Sequence, residues 1–251
     1  MLKIYPNGII GYRKACHNQL FSGSDTLENY QAKLKVKPAD WYYRDVEISY
    51  IRNSIGHRCK DVSQLDFDNY IMFAGCSHTE GIGLELEKTY PYLLSEKLKC
   101  DYYNIAIGGT GVDTIMHNLT VWLNTYKKPK LLVVQWPPLL RSVIAKNLMD
   151  NDPNQIRSFS IHDPDIGLKN FLLTGDEIKY FQSIALLGKI KIDSFGLKTY
   201  HVTDNYSNVT DIGITKSAKF IELDQARDNH YGIMSHAMLA EKLYQQISTE
   251  M

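Results

Sequence analysis

The sequence predicts a three-layer α/β/α sandwich on a mostly parallel sheet, with an N-terminal extension packed against it. Three observations predict this. Strand-like and helix-like patterns alternate as β-α-β-α-β over residues 70–135, an order that calls for a parallel sheet with right-handed crossovers. The run Lys130-Leu-Leu-Val-Val-Gln135 is almost uninterruptedly apolar, as a strand covered on both faces requires. The run Tyr70-Ile-Met-Phe-Ala74 leads through Gly75 into a polar elbow, Cys76-Ser-His-Thr79. That elbow sets a serine at the carboxyl end of a strand, the edge where open α/β sheets hold their ligands.

The elements follow in order. Residues 1–65 read as the extension and 66–251 as the core, with 136–197 an insertion or lid. Glycines and the polar run Ser22–Asp25 make residues 1–40 loop-rich, with a short helix from Thr26 to Leu34 capped by Thr26 or Asp25 and ended by Pro38. Trp41 to Tyr50 alternates bulky and polar groups and reads as a strand with Val46, Ile48 and Tyr50 on one face. Residues 51–58 are turn-rich. After the elbow, Gly81 and Gly83 keep a loop free of bulk, and a helical pattern begins near Glu85 with Pro91 early in it. Tyr90, Leu93, Leu94 and Leu98 share a face, and Lys97 and Lys99 sit where cations favour the helix dipole. Asp101–Ile107 is the second strand, followed by Gly108-Gly-Thr-Gly111. Val112–Tyr126 is a helix with Ile115, Leu119, Trp122 and Leu123 on one face, and Pro129 ends it. Beyond Trp136-Pro-Pro138, turn signals stand at Asn151–Asn154 and Asp163–Asp165. A helix from Phe171 to Leu187 starts near Thr174 or Asp176, Lys198–Thr203 is the last strand, and Asn205–Thr215 is a loop. Ser235–Ser248 is an amphipathic helix.

Composition narrows the function classes. The chain has 251 residues, 44% of them hydrophobic, so it can bury a full core. Lys+Arg and Asp+Glu both number 28, which lacks the basic excess of a nucleic-acid binder. Cys16, Cys59, Cys76 and Cys100 contain no CxxC pair, and His57, Cys59, Cys76 and His78 match no zinc spacing. Neither a metal nor another cofactor is expected. There is no signal-peptide pattern and no run of 18 apolar residues. The expectation is a cytoplasmic protein without a membrane span, with virus-particle packaging or another signal-independent export as the alternative.

The chemistry gathers in two stretches. Ser77 sits at the elbow, and Ala226-Arg-Asp-Asn-His-Tyr-Gly232 supplies an acid and an imidazole on the same edge of the sheet. A nucleophile needs a base within hydrogen-bond reach, and the base needs a group to fix its tautomer. Ser77, His230 and Asp228 fit these three roles. The same residues also fit an ordinary βα turn with an N-cap serine and a packing histidine.

These blocks resemble those of the SGNH (GDSL-type) hydrolases. Gly75-Cys-Ser-His-Thr-Glu-Gly81 is similar to the block G-D-S-x-T-x-G, and Asn104-Ile-Ala-Ile-Gly-Gly109 to N-x-G-x-x-G. His230-Tyr-Gly-Ile-Met-Ser-His236 is similar to H-P-x-x-x-G-H. Asn53-Ser-Ile-Gly-His-Arg58 is similar to a segment that precedes the first block in many bacterial members. The resemblance spans roughly residues 41–248. It implies a flavodoxin-like sheet and a serine ester hydrolase without cofactor. Ser77, His230 and Asp228 would be catalytic, and the Ser77 and Gly109 N–H groups would face the oxyanion. The substrate would be a small acyl ester, such as an O-acetyl group on a carbohydrate. Three positions depart from the family. Cys76 replaces an Asp and reads as a buried structural residue. The third block, usually G-x-N-D, is Gln135-Trp-Pro-Pro138, so Gln135 is the substitute expected to supply an amide N–H. The spacing D-x-x-H is shortened to Asp228-Asn-His230, which leaves Asp224 or a backbone carbonyl as alternative partners of His230. The alternatives in function are a non-catalytic carbohydrate-binding or structural module on the same fold, and an acyltransferase.

Overall fold

The computed structural model describes residues 2–13, 18–138, 141–145, 155–160, 177–205, 209 and 212–250. Two sheets organise them. In the first, β3 (Tyr70–Ala74), β4 (Asp101–Asn104), β5 (Leu132–Gln135), β8 (Thr199–Thr203) and β9 (Ala218–Lys219) pair in the order β4-β3-β5-β8-β9, all parallel. Counted from β3, this is the order 2-1-3-4-5 of flavodoxin-like sheets, whose switch point lies beside the first strand. Every residue of β3 and β5 is buried, so both faces are covered. Among the described residues the α-helices are α1 (Leu27–Val36), α2 (Ser77–Glu80), α3 (Tyr90–Leu98), α4 (Val112–Thr125), α5 (Glu177–Ser194) and α6 (Ile233–Thr249). The α3 helix packs on α6, and α4 on α5, which gives the expected three layers. Trp122 of α4 is fully buried and stacks on Tyr103 of β4 with ring centroids 4.0 Å apart.

The second sheet is antiparallel, with the order β2-β1-β7-β6. It joins β1 (Leu2–Ile4) and β2 (Ile10–Tyr12) to β6 (Arg141–Ala145) and β7 (Gln155–Ser160). The N-terminal residues and the 136–197 stretch therefore share a sheet. The Asn118 side chain of α4 ties this sheet to the core, accepting from the Ile10 N–H and donating to the Ile10 carbonyl, both at 2.8 Å.

Several sequence expectations need correction. Trp41–Tyr50 is not a strand. Residues 42–44 form a short 3₁₀ turn, and the rest is extended without a ladder. Ile48 and Tyr50 are buried as the alternation implies, but the Tyr50 N–H bonds the Gln19 carbonyl of a loop. Alternation reports which side chains are inside, not whether a strand partner exists. The chain also contains β9 beyond the expected last strand, β1 and β2 where loops were expected, and β6 and β7 within the expected insertion or lid. The turn signals at 151–154 and 163–165, the helix start at Thr174 or Asp176, and Cys16 lie outside the described residues. Among the described residues, no helix is long and apolar enough to cross a membrane.

Candidate active site

The site is built where β3, β4 and the loop before α6 meet at the carboxyl edge of the parallel sheet. Ser77 is the first residue of α2, so its N–H has no acceptor within the helix. Its Oγ lies 2.8 Å from His230 Nε2, and His230 Nδ1 lies 2.6 Å from Asp228 Oδ2. Asp228 Oδ1 also accepts the His230 N–H at 3.1 Å, and Ser24 Oγ donates to Asp228 Oδ2 at 2.7 Å. The two-residue spacing from acid to imidazole works because the loop is tight. The Ala226 N–H bonds the His230 carbonyl, and Asn229 takes φ +90°. Gly83 is required opposite: a Cβ there would collide with the Asp228 carboxylate.

Asp224 does other work. Its carboxylate accepts from the N–H groups of Met234 and Ser235 and from Ser235 Oγ at 3.0–3.1 Å, so it caps α6. The acid beside His230 is Asp228.

Ser77, His230, Gly108, Gly109, Arg141 and the Gly23–Ser24 turn line one cleft of about 210 Å³. Gly109 is exposed, with φ +79°. The Gly108 N–H is already committed, donating to Glu80 Oε2 at 2.6 Å. Gln135 does not fill the role expected of it. Its Nε2 donates to the Trp136 carbonyl and to Asp204 Oδ2, both at 3.2 Å. Its Oε1 accepts from Cys76 N at 3.3 Å and Thr79 Oγ1 at 3.0 Å. The side chain braces the elbow from behind with its amide turned from Ser77.

The chain is similar in fold to several proteins of known structure. One is the acetyl xylan esterase Est2A from the rumen bacterium Butyrivibrio proteoclasticus, 13% identical with a TM-score of 0.48, over 76% of this chain and 66% of that one. Another is a family two carbohydrate esterase from Clostridium thermocellum, solved with cellohexaose, 14% identical with a TM-score of 0.48 over the same shares. A third, of the G-D-S-L family, comes from Desulfitobacterium hafniense, 12% identical with a TM-score of 0.43, over 70% of this chain and 98% of that one. The chain spans just under two thirds of the length of the two carbohydrate esterases. No protein-family model and no curated protein matches it.

Electrostatics separate the polar groups around the elbow. Burial raises the Asp228 carboxyl, but the hydrogen bonds and charge of His230, with the Ser24 bond, outweigh it and hold the group below its ordinary value. Burial pushes the Cys76 thiol up, and with 1% exposure it is a packed residue beside the serine. His78 is pushed down to about 3 by burial and then by the nearby His230, its ring 4.8 Å from that of His230. His57 spends its ring nitrogens on the Ile10 carbonyl and the Tyr103 hydroxyl. Among the described residues no three His, Cys, Asp or Glu side chains form a metal-binding group.

Sequence reasoning missed the supports. Glu80 is fully buried and accepts from Arg52 Nη2 at 3.0 Å, the Tyr12 hydroxyl at 2.8 Å and the Gly108 N–H, so it ties α2 to the loop after β4. Arg227 forms a bidentate pair with Asp25 at 2.6 and 2.9 Å, both residues buried. Arg58 donates to the Gly81 and Leu84 carbonyls. A signal for the first lay in the sequence: Glu80, three positions after the serine, is the one Asp, Glu, Lys or Arg between Gly75 and Leu84.

Proposed function

We propose that this chain is a serine ester hydrolase acting on a small acyl ester, with an O-acetyl group on a carbohydrate as the substrate class to test first. The observation that carries the reading is the relay from Asp228 through His230 to Ser77 Oγ, with contacts of 2.6 and 2.8 Å. These are hydrogen-bond distances between an acid, a base and a hydroxyl in the order that activates a nucleophile. The exposures fit the roles. The Asp228 side chain is sealed, and that of His230 is 18% exposed at the cleft.

In this reading Ser77 Oγ adds to the ester carbonyl while His230 Nε2 takes its proton. The tetrahedral intermediate collapses to an acyl-enzyme, and the leaving alcohol receives that proton. Water, deprotonated by the same nitrogen, then releases the acid. Asp228 keeps His230 in the tautomer that presents Nε2 to the serine and stabilises the imidazolium. The N–H groups of Ser77 and Gly109 are the backbone donors for the oxyanion.

The test is hydrolysis of p-nitrophenyl acetate by the wild type and by Ser77→Ala, beside labelling with a fluorophosphonate probe. Activity and labelling in the wild type, both lost in Ser77→Ala, are expected. A folded wild type that shows neither sinks the reading. The withdrawn Gln135 amide favours a second reading, carbohydrate binding without turnover, for which glycan binding by an inactive wild type is the sign.

A further inference from the structure

The cleft holds one charged side chain that the relay does not use. Arg141, the first residue of β6, lines the same space of about 210 Å³ as Ser77, Gly109 and His230. Its backbone is pinned there: a Cβ on Gly111 would collide with the Arg141 carbonyl, so β6 begins hard against the residue that caps α4, two positions after Gly109. Its positive charge acts on Cys76 and on His78, the neighbours of Ser77 on either side, favouring the deprotonated form of each. Among the described residues it makes no ion pair that would neutralise it.

We propose that Arg141 is a catalytic residue that donates a charged hydrogen bond to the oxyanion formed when Ser77 attacks. This inference rests on the hydrolase reading. In the attack, the Ser77 Oγ–carbon bond forms, the carbonyl π pair moves onto oxygen, and the serine proton passes to His230. The negative charge then sits on an oxygen in a small cleft whose other lining groups are glycines, Ser24, Ile82 and the relay itself. Gln135, the amide nearest in sequence to the end of β5, is committed to Asp204 and Trp136. A neutral ester carries no negative charge before the attack. A cation held at the cleft therefore binds the transition state more strongly than the ground state, which raises kcat rather than lowering KM. Arginine suits the role because its planar fork stays charged and presents several donors.

The experiment uses the full chain and neutral p-nitrophenyl acetate, with thermal melts as folding controls. Arg141→Ala is expected to lose kcat by about a hundred- to a thousandfold, with KM within about threefold of the wild type. Arg141→Lys is expected to retain part of the rate. Guanidinium chloride, added below the concentration that unfolds the protein, is expected to raise the rate of Arg141→Ala and not that of Ser77→Ala. If Arg141→Ala melts out, Arg141→Gln is judged by the same figures. An active wild type whose Arg141→Ala keeps its kcat, or changes only KM, overturns this inference and leaves the hydrolase reading standing. So does a variant that loses activity only toward an ester bearing an added carboxylate. A wild type that neither labels nor turns over overturns both.

Discussion

Asp228 Oδ2 and His230 Nδ1 lie 2.6 Å apart although only one residue separates them in the chain. The contact is local, made within a turn that holds Asn229 at φ +90°. Asp224, the other carboxylate of the same loop, faces the N-terminus of α6. In the proposed hydrolase the two acids are therefore expected to affect different properties, Asp228 the rate and Asp224 the stability. Asp228→Asn is expected to lower kcat/KM for p-nitrophenyl acetate by about a hundred- to ten-thousandfold, because a neutral amide neither fixes the tautomer nor stabilises the imidazolium. Asp224→Ala is expected to leave the rate near that of the wild type and to cost about 1 kcal/mol in urea unfolding as a lost cap. Equal losses of rate in the two variants would refute this division.

The brace behind the elbow gives a second separation. Gln135 is fully buried and satisfies four groups: Cys76 N, Thr79 Oγ1, Asp204 Oδ2 and the Trp136 carbonyl. Gln135→Ala takes one partner from each of these groups, at about 1–3 kcal/mol for each left unsatisfied, while Thr79 Oγ1 keeps its bond with the Tyr90 hydroxyl. The expectation is a clear drop in the urea midpoint with kcat lowered by less than about tenfold, since no donor to the oxyanion is removed. A hundredfold fall in kcat at unchanged midpoint would show that Gln135 turns toward the substrate.

The contrast between Gln135 and Ser77 marks what the sequence makes legible. The β3 run, the Gly75 break and the serine that follows are contiguous, and local pattern suffices to read them. The parallel core is legible for the same reason, because each strand and its helix are neighbours in the chain. The antiparallel sheet is not. Its strands β1 and β2 are three residues each, and Leu2 pairs with Ile156, far along the chain. Ser24 is likewise 204 positions from the Asp228 it donates to. The orientation of Gln135 depends on Asp204, a residue brought up by β8. Pattern within a window carries no information about such partners, and it also makes an extended segment such as 45–50 look like a strand.

The buried pair Arg227–Asp25 links the loop of Asp228 to the turn that carries Ser24. Both side chains are at most 3% exposed, and the Tyr50 hydroxyl adds a bond of 2.6 Å to Asp25. Removing one partner leaves a buried charge, so Asp25→Ala is expected to cost about 3–5 kcal/mol. The rate should fall with it, as the neighbouring Asp228 loses its support. Replacing the pair together, with Asp25→Leu and Arg227→Met, is expected to recover much of the stability. Tyr50→Phe removes two hydrogen bonds, the one to Asp25 and the one accepted from the Gly83 N–H at 2.7 Å, and should cost about 2 kcal/mol. Urea unfolding of the four proteins tests this order, and a double variant no better than Asp25→Ala would contradict it.

Acid should weaken the fold through its buried histidines. Burial pushes His57 from 6.5 down to about 4, and burial with the charge of His230 pushes His78 down to about 3. His236 is also driven well below its ordinary value, first by burial. In the unfolded chain all three titrate near 6.5. Between that value and about 4, the unfolded chain binds protons that the folded chain refuses, so stability falls as pH falls through this window. At pH 5 the loss is about 2 kcal/mol for each of His57 and His78. Urea midpoints at pH 7.5 and 5 measure it, and His57→Gln should show a shallower pH dependence than the wild type. Midpoints that coincide at the two pH values would mean that these rings gain protons in the folded state.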